Sequence, residues 1–524
     1  MPEIESLVRD ARPDWPEPPG AVEDTILRSL GLAEAGVAPR SWLRRLSRSR
    51  RTRLIAVAAL LAGSGAALAV ALTGRSGPAP GGAPASLAFS APESVGTAGG
   101  YGESGAGVAV DAAGEVTVAW SRAGRIVVAT RARAGGWSAP QRLSDPARRA
   151  AQPQVAAGPA GRVVVVWRER LPGRAVAEDF RLPGGAPGGT LESQVGVRWA
   201  VMARSRAADG AWSAPEAVSP STAALRDVYR PRLVMTASGE ALVGYVEGGR
   251  AWVARQAPGG PWGMPVAISG ATGRPSDLDL VVDPASGWSL ATWNTRVEDP
   301  RLGRRWGTWA ALRPPRGAWA AAEELGAPGA GKHITSAAIG GAGAAVVAWA
   351  ERDAMAVTRD AGTAWSKPAT VVASPRPGAQ AFSPPAVAVD GDGRAFLSAS
   401  FGLLVASASA SRATPPPTVT VRRAPGGDWG PAVSLGGFAV TAAAVPDLAG
   451  GIVVAWAGPG APMATHLEAF AADGASRARV RLGAGGFSMR IATGADGTTA
   501  LLRLRTAADG QALVVAVAPG RGRP

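Results

Sequence analysis

One pattern returns eight times along this chain: a short apolar strand, a turn built on Gly or Asp, and a second apolar strand. It reads VAVDAAGEVTVAW at 108–120, QVAAGPAGRVVVVW at 154–167, LVMTASGEALVGY at 233–245 and LVVDPASGWSLATW at 280–293. It continues as AAIGGAGAAVVAW at 337–349, VAVDGDGRAFLSA at 387–399, AAVPDLAGGIVVAW at 443–456 and IATGADGTTALLRL at 491–504. Such hairpins cannot bury both faces alone and must stack on their neighbours. Over residues 86–524 the mean spacing is about 55 residues, the length of a four-stranded propeller blade rather than of a helical repeat. The expected fold is therefore all-β, a β-propeller of four-stranded blades. Eight blades are counted, and a seven-bladed ring is the alternative.

Two aromatic signals run through the repeat. The second strand ends in Trp120, Trp167, Tyr245, Trp293, Trp349 and Trp456. A bulky ring at one place in most repeats is expected to pack between adjacent sheets. Carbohydrate-stacking platforms are the other use of such a row. A second Trp opens the fourth strand, as in GGWSAP (135–140), GAWSAP (210–215) and TAWSKP (363–368). One copy of this fourth-strand motif, FSAPESV at 89–95, precedes any blade, while the last repeat, Phe487 to Pro519, lacks it. Residues 86–96 are thus expected to supply the outer strand of the final blade, pairing edges that would otherwise be exposed.

Upstream of the repeat the chemistry changes. Residues 1–39 carry eight acids against three bases and read as an acidic cytoplasmic tail with one short amphipathic helix, 21–32. Residues 40–53 hold seven arginines, and 54–73 form an uncharged apolar run of twenty residues. As a helix that run spans roughly 30 Å, enough to cross a bilayer. The arginines on its N-terminal side place the N-terminus in the cytoplasm and everything after Thr73 outside. A cleaved signal peptide would need a charged region far longer than such peptides have. Residues 74–85 read as a Gly/Pro/Ala linker.

Composition removes several function classes. There is no Cys, so disulfides and thiolate metal sites are excluded. His333 and His466 fall in different repeats, which argues against a histidine metal centre or a Ser-His-Asp triad. No metal and no cofactor is expected. The net charge of +15 is nearly all Arg, since Lys332 and Lys367 are the only lysines. It is read as coding bias, because the arginines of the repeat region form no continuous phosphate-tracking run. Nucleic acid is therefore not an expected partner.

At the turns before the fourth strand the chain resembles sialidase-like β-propellers. Thr358-Arg359-Asp360-Ala361-Gly362-Thr363-Ala364-Trp365 fits their Asp-box (BNR) pattern, Ser/Thr-x-Asp-x-Gly-x-x-Trp. The seven-residue spacing from Thr130 to Trp137 and from Ser205 to Trp212 is kept with Ala132 and Ala207 in place of Asp. The resemblance covers 86–524 and implies that Thr358, Asp360, Gly362 and Trp365 stabilise a turn on the face away from the active site. The catalytic set of that family does not carry over. Arg230-Pro231 lacks the middle residue of the Arg-Ile-Pro motif and comes too late, and Tyr101, Tyr229 and Tyr245 are the only tyrosines. Tyr245 occupies a Trp position of the repeat and is expected in the core.

The long insertions follow second strands. Residues 171–197 extend the second blade, 296–305 the fourth and 402–417 the sixth. Loops held on a rigid ring are where such folds place recognition. The expected binding face uses Arg174, Glu178, Asp179 and Arg181 from the first of these. It adds Asp227, Tyr229 and Arg230 from the connection into the third blade, and Arg296, Glu298, Asp299, Arg304 and Arg305 from the second insertion. Glu178 and Asp179 are a carboxylate pair, but glycosidase chemistry needs its two carboxyls across a site from each other. Asp390-Gly391-Asp392-Gly393 resembles half a calcium loop yet occupies the hairpin turn found in every repeat.

The sequence thus leads to a membrane-anchored extracytoplasmic propeller that binds an extracellular protein or glycan without catalysis. Two alternatives are a divergent sialidase-like glycoside hydrolase and an anti-sigma-like signalling protein whose 1–39 tail meets a cytoplasmic partner.

Overall fold

The computed structural model describes residues 89–518 apart from 99–104, 134, 172–176, 182–186, 193–198, 208, 220–228, 271–273, 300–302, 327–334, 376–378, 382–384, 404–418, 436–441, 448–450, 459–463, 472, 485–487 and 508–509. The tail, the arginine cluster, the apolar run and the linker lie outside the described residues. Among those that are described, no helix is long and apolar enough to cross a membrane, and helical structure is limited to the 3-10 turns Pro159–Gly161 and Gly341–Gly343.

Eight four-stranded antiparallel sheets follow one another, each a blade. The second blade shows the plan: Ala150–Ala157 innermost, then Val163–Arg170, Trp199–Arg206 and the short outer strand Glu216–Ala217. The turn between first and second strands is made by local chemistry. In the first blade Asp111 Oδ1 accepts from the backbone N–H of Ala113 at 2.9 Å and of Glu115 at 2.8 Å, and Gly114 supplies the left-handed φ of 80°. Asp390 repeats this geometry with the N–H groups of Asp392 and Arg394, so Asp390–Gly393 is that same hairpin turn. Neighbouring turns approach so closely that a Cβ on Gly340 would lie 2.4 Å from the carbonyl oxygen of Asp390 in the next blade.

The core is not central but sits between blades. Eight hydrophobic clusters fill eight seams, each joining one blade to the next. One of them joins the eighth blade, through Ala500, Leu502, Leu513, Val515 and Val517, to Val108, Val116 and Trp120 of the first. Eight seams close the ring at eight blades and remove the seven-bladed alternative. Trp120, Trp167, Tyr245, Trp293, Trp349 and Trp456 are all buried, each in the seam with the preceding blade, as the repeat predicts. The fourth-strand rings Trp137, Trp212, Trp262, Trp319, Trp365 and Trp429 are half-buried and cap the outer ends of these clusters.

The ring is closed by the strand that precedes the first blade. Glu93–Ala98 pairs antiparallel with Gly510–Ala518, Glu93 opposite Val515, and Ser90 N–H donates to the Val517 carbonyl at 2.8 Å. The misplaced FSAPESV segment is therefore the outer strand of the eighth blade.

Arginines set aside above as coding bias have a structural use. The third strand ends in Arg at 131, 206, 313, 359 and 423. Four of these reach a carboxylate on the preceding blade around the ring: Arg131 to Glu93 (3.5 Å), Arg206 to Glu115, Arg313 to Glu240 (2.9 Å) and Arg423 to Asp360 (2.8 Å). Two-pronged and partly buried, the Arg423–Asp360 pair is expected to couple by about 1–2 kcal/mol in a double-mutant cycle of Asp360→Ala and Arg423→Ala. Denaturant midpoints of the four proteins measure it, and a coupling near zero would mean the pair is surface ornament.

Candidate functional site

The blades present two unlike ends. One carries the first-to-second and third-to-fourth turns, tied together by the arginine pairs. Thr358, Asp360, Gly362 and Trp365 lie here. Gly362 has φ 72°, Thr363 N–H closes the turn on the Asp360 carbonyl at 3.1 Å, and Trp365 packs on the seam between the fourth and fifth blades. The Asp360 carboxylate is bonded by both terminal nitrogens of Arg423 in the sixth blade, which hold its pKa below the usual carboxylate range.

The other end carries the insertions, and their described parts are strands rather than loops. Ala177–Arg181 pairs with Pro187–Glu192, which puts Glu178 opposite Leu191 and Asp179 opposite Thr190. In the fourth blade the hairpin simply runs on. Ser289–Asp299 pairs with Gly303–Arg313 in unbroken register, with Glu298 opposite Arg304 and Val297 opposite Arg305, and Arg296 is exposed. Leu403, in Phe401–Leu403, pairs with Ala379. Once two strands are paired, each further pair satisfies backbone groups that a loop would leave to water, so charged residues are carried outward on the ladder. Arg174 and Asp227 lie outside the described residues.

Tyr229 and Arg230 lead to a feature that pattern reading missed. In the second, third and fourth blades, and at the same place in each, the innermost strand bulges. Gln152 and Pro153 together face Trp167, Arg230 and Pro231 face Tyr245, and Asp277 and Leu278 face Trp293. The first, fifth and seventh blades pair straight through this point, with Ala106, Thr335 and Ala442 opposite their aromatic residues. The second residue of each bulge, Pro153, Pro231 or Leu278, turns into the seam and is buried. Leu278 lies so near Gly244 that a Cβ there would stand 2.6 Å from its Cδ2.

In the second and fourth blades the first residue is turned the other way. Gln152 and Asp277 adopt left-handed φ values of 55° and 51°, unusual for residues with a Cβ inside a strand. Gln152 is half-buried and Asp277 exposed. Bulges of this kind re-aim side chains next to functional sites. The second and fourth blades thus present an amide and a carboxylate at corresponding positions, and Arg230 holds the same place in the backbone register of the third. The available signal was proline inside a strand, at Pro153 and Pro231, which marks a bulge or an edge.

Just outside this row, the seam between second and third blades is polar where it reaches the surface. Strand alternation turns Arg168 and Trp199 of the second blade toward the third, and Tyr245, Glu247, Arg250 and Trp252 of the third toward the second. The Arg168 guanidinium stacks on the Trp199 ring at 4.1 Å, and Trp252 Nε1 donates to the Glu247 carbonyl at 3.0 Å. Glu247 is only 6% exposed, and burial pushes its carboxyl up to about 7. Burial and the neighbouring Glu247 raise the Tyr245 phenol well above its ordinary value, so Tyr245 is no ionised nucleophile. One seam earlier, Glu169 is satisfied, by Trp167 Nε1 at 3.0 Å and Arg148 at 3.3 Å.

No group of three or more His, Asp or Glu among the described residues could hold a metal ion. His333 lies outside them. His466 stacks on Trp456 with ring centroids 5.4 Å apart, and burial, then Arg481 and Arg479, lower its pKa. A groove of about 510 Å³ runs at the rim between the third and fourth blades, lined by Val266–Gly270, Trp309 and 318–322.

No protein-family model and no characterised protein matches this sequence. Solved structures similar to it include the polysaccharide lyase Uly1, 11% identical over 79% of this chain and 89% of that one, with a TM-score of 0.43. A Dyadobacter fermentans protein of unknown function is 11% identical over 72% of this chain and 97% of its own, with a TM-score of 0.39. The GH93 alpha-L-arabinofuranosidase of Fusarium graminearum is 13% identical over 60% and 93%, with a TM-score of 0.32.

Proposed function

We propose that the chain is a single-pass membrane protein whose extracytoplasmic propeller binds an extracellular protein or glycan at the insertion-bearing end, without catalysis. The observation that carries this reading is the row of three bulges. Strained backbone at Gln152 and Asp277 recurs opposite the seam aromatics of the second and fourth blades, where a purely structural strand would run straight. Anchoring rests on the apolar run 54–73 and the arginines before it. The Asp-box resemblance accords with this arrangement, since Asp360 serves the opposite end.

The hydrolase alternative needs two carboxyls facing across a site. Glu247 has the raised pKa of an acid catalyst, but the other carboxyl of its seam, Glu216 on the outermost strand, accepts from the Trp262 backbone N–H at 3.1 Å, and Glu169 serves the seam on the other side. Fluorogenic glycosides should give no turnover above buffer. Protease shaving of intact cells lacking an outer barrier should release the propeller, and full protection would overturn the topology. Retention of the full chain on an envelope preparation should fall at least ten-fold in the Gln152→Ala, Arg230→Ala, Asp277→Ala triple variant. Unchanged retention would overturn the binding face.

A further inference from the structure

Among the described residues, the buried polar atoms of the seam between second and third blades that make no hydrogen bond include two on one strand. The Tyr245 hydroxyl, in a residue 0% exposed, and Glu247 Oε1 make no hydrogen bond among the described residues. Buried polar atoms are ordinarily satisfied, and a carboxyl without a counter-charge is among the costlier exceptions. Both lie on one strand, two residues apart, and face the same side. The half-buried indoles of Trp199 and Trp252 pack on the same cluster as Tyr245. Glu247 is the last strand residue before the Gly248-Gly249 turn, and a Cβ on Gly249 would meet nothing within 4 Å, so the surface is one residue away.

Among the described residues no cation forms an ion pair with Glu247. Arg168 faces the seam but stacks on Trp199, and Arg250, opposite Glu247 in the ladder, is exposed and makes no ion pair with it. What the seam offers is a carboxylate, a phenol oxygen and indole rings, which is how proteins receive an alkylammonium group. Arg168 on Trp199 shows that a cation is already tolerated against an indole here.

We propose that this seam is a subsite for a positively charged amino group carried by the ligand of the insertion-bearing end. The proposal rests on that binding reading and names the chemistry the reading left open. The amine comes from a lysine side chain or from an amino sugar. On binding, the Glu247 carboxyl passes its proton to the buffer and its carboxylate takes the ammonium, so charge balances without any further reactant. The titrating or charged groups on the seam-facing sides of these strands, among the described residues, are Tyr245, Arg168, Arg170, Glu216 and Arg250.

Titration calorimetry of the full chain tests this with trilysine, with a glucosamine trisaccharide and with its fully N-acetylated counterpart. At pH 6 the amine probe that binds should release close to one proton, read from two buffers of different ionisation enthalpy. Its affinity should rise about ten-fold or more between pH 5.5 and 7.5. Glu247→Gln should abolish the proton release and weaken binding at least ten-fold, and Tyr245→Phe should weaken it less. Which amine probe binds distinguishes the two sources. Equal binding of the N-acetylated probe, unchanged binding to Glu247→Gln, or no binding of either amine would overturn the subsite. The triple bulge variant, which leaves Glu247 in place, fails or survives separately and reports on the binding face.

Discussion

Replacing Trp167 with alanine is expected to destabilise the propeller by about 3–5 kcal/mol. The ring is fully buried in the seam between first and second blades, among Ala119, Ile126, Val128 and Leu143 on one side and Val163, Val165 and Ala200 on the other. Both walls are sheets held by their own ladders, so neither can close over the void, and the cavity cost adds to the lost transfer energy. The substitution also takes the indole N–H from Glu169, which keeps only Arg148. Trp137→Ala, at the half-buried outer ring, should cost about half as much, because part of that ring already meets water. The denaturant midpoints of the two variants measure the difference. Equal losses would mean that the inner ring is not the seam's main filler.

Replacing Glu247 with glutamine should stabilise the protein, and increasingly so as pH rises. The carboxyl ionises near 4.5 when exposed and near 7 in the fold. Between these values the folded chain holds a proton that the unfolded chain has lost. Stability therefore falls as pH rises through this window and stays low above it. The displacement corresponds to about 3 kcal/mol at most. The glutamine variant carries no such dependence. It should exceed the parent by about 1 kcal/mol at pH 5 and about 3 kcal/mol at pH 8, measured as thermal or denaturant midpoints across that range. A gap that does not widen with pH would show that Glu247 is ionised freely in the fold.

The fold was legible because its signals are local. Each turn is made by its own Asp or Gly, as at Asp111 and Gly114, and strand alternation needs no distant partner. The closing strand was legible for the same reason, since FSAPESV repeats a spelling found elsewhere. The candidate site was legible only in part. Tyr229 and Arg230 were singled out as a connection between blades, yet the structure makes them the edge of a bulge in register with Gln152 and Asp277. Neither of those two residues carries a motif. The charged insertions were expected as loops, and the hairpin 289–313 instead extends its ladder through Asp299 and Gly303. The arginines at 131, 206, 313 and 423 were dismissed by composition and turned out to bind blades together.

The sequence by itself determined the repeat, the number of hairpins and the segment that closes the ring, because all three follow from residue chemistry within about fifteen positions. Only the tertiary structure decided which inner strands bulge, which arginines find a carboxylate on the neighbouring blade, and which polar atoms end up buried without a partner. These depend on how two blades meet, and the residues that meet are separated by about one repeat or more. A hydroxyl at Tyr245 and a carboxyl at Glu247 are unremarkable in a strand. They become a candidate site only when the second blade closes over them and takes the water away.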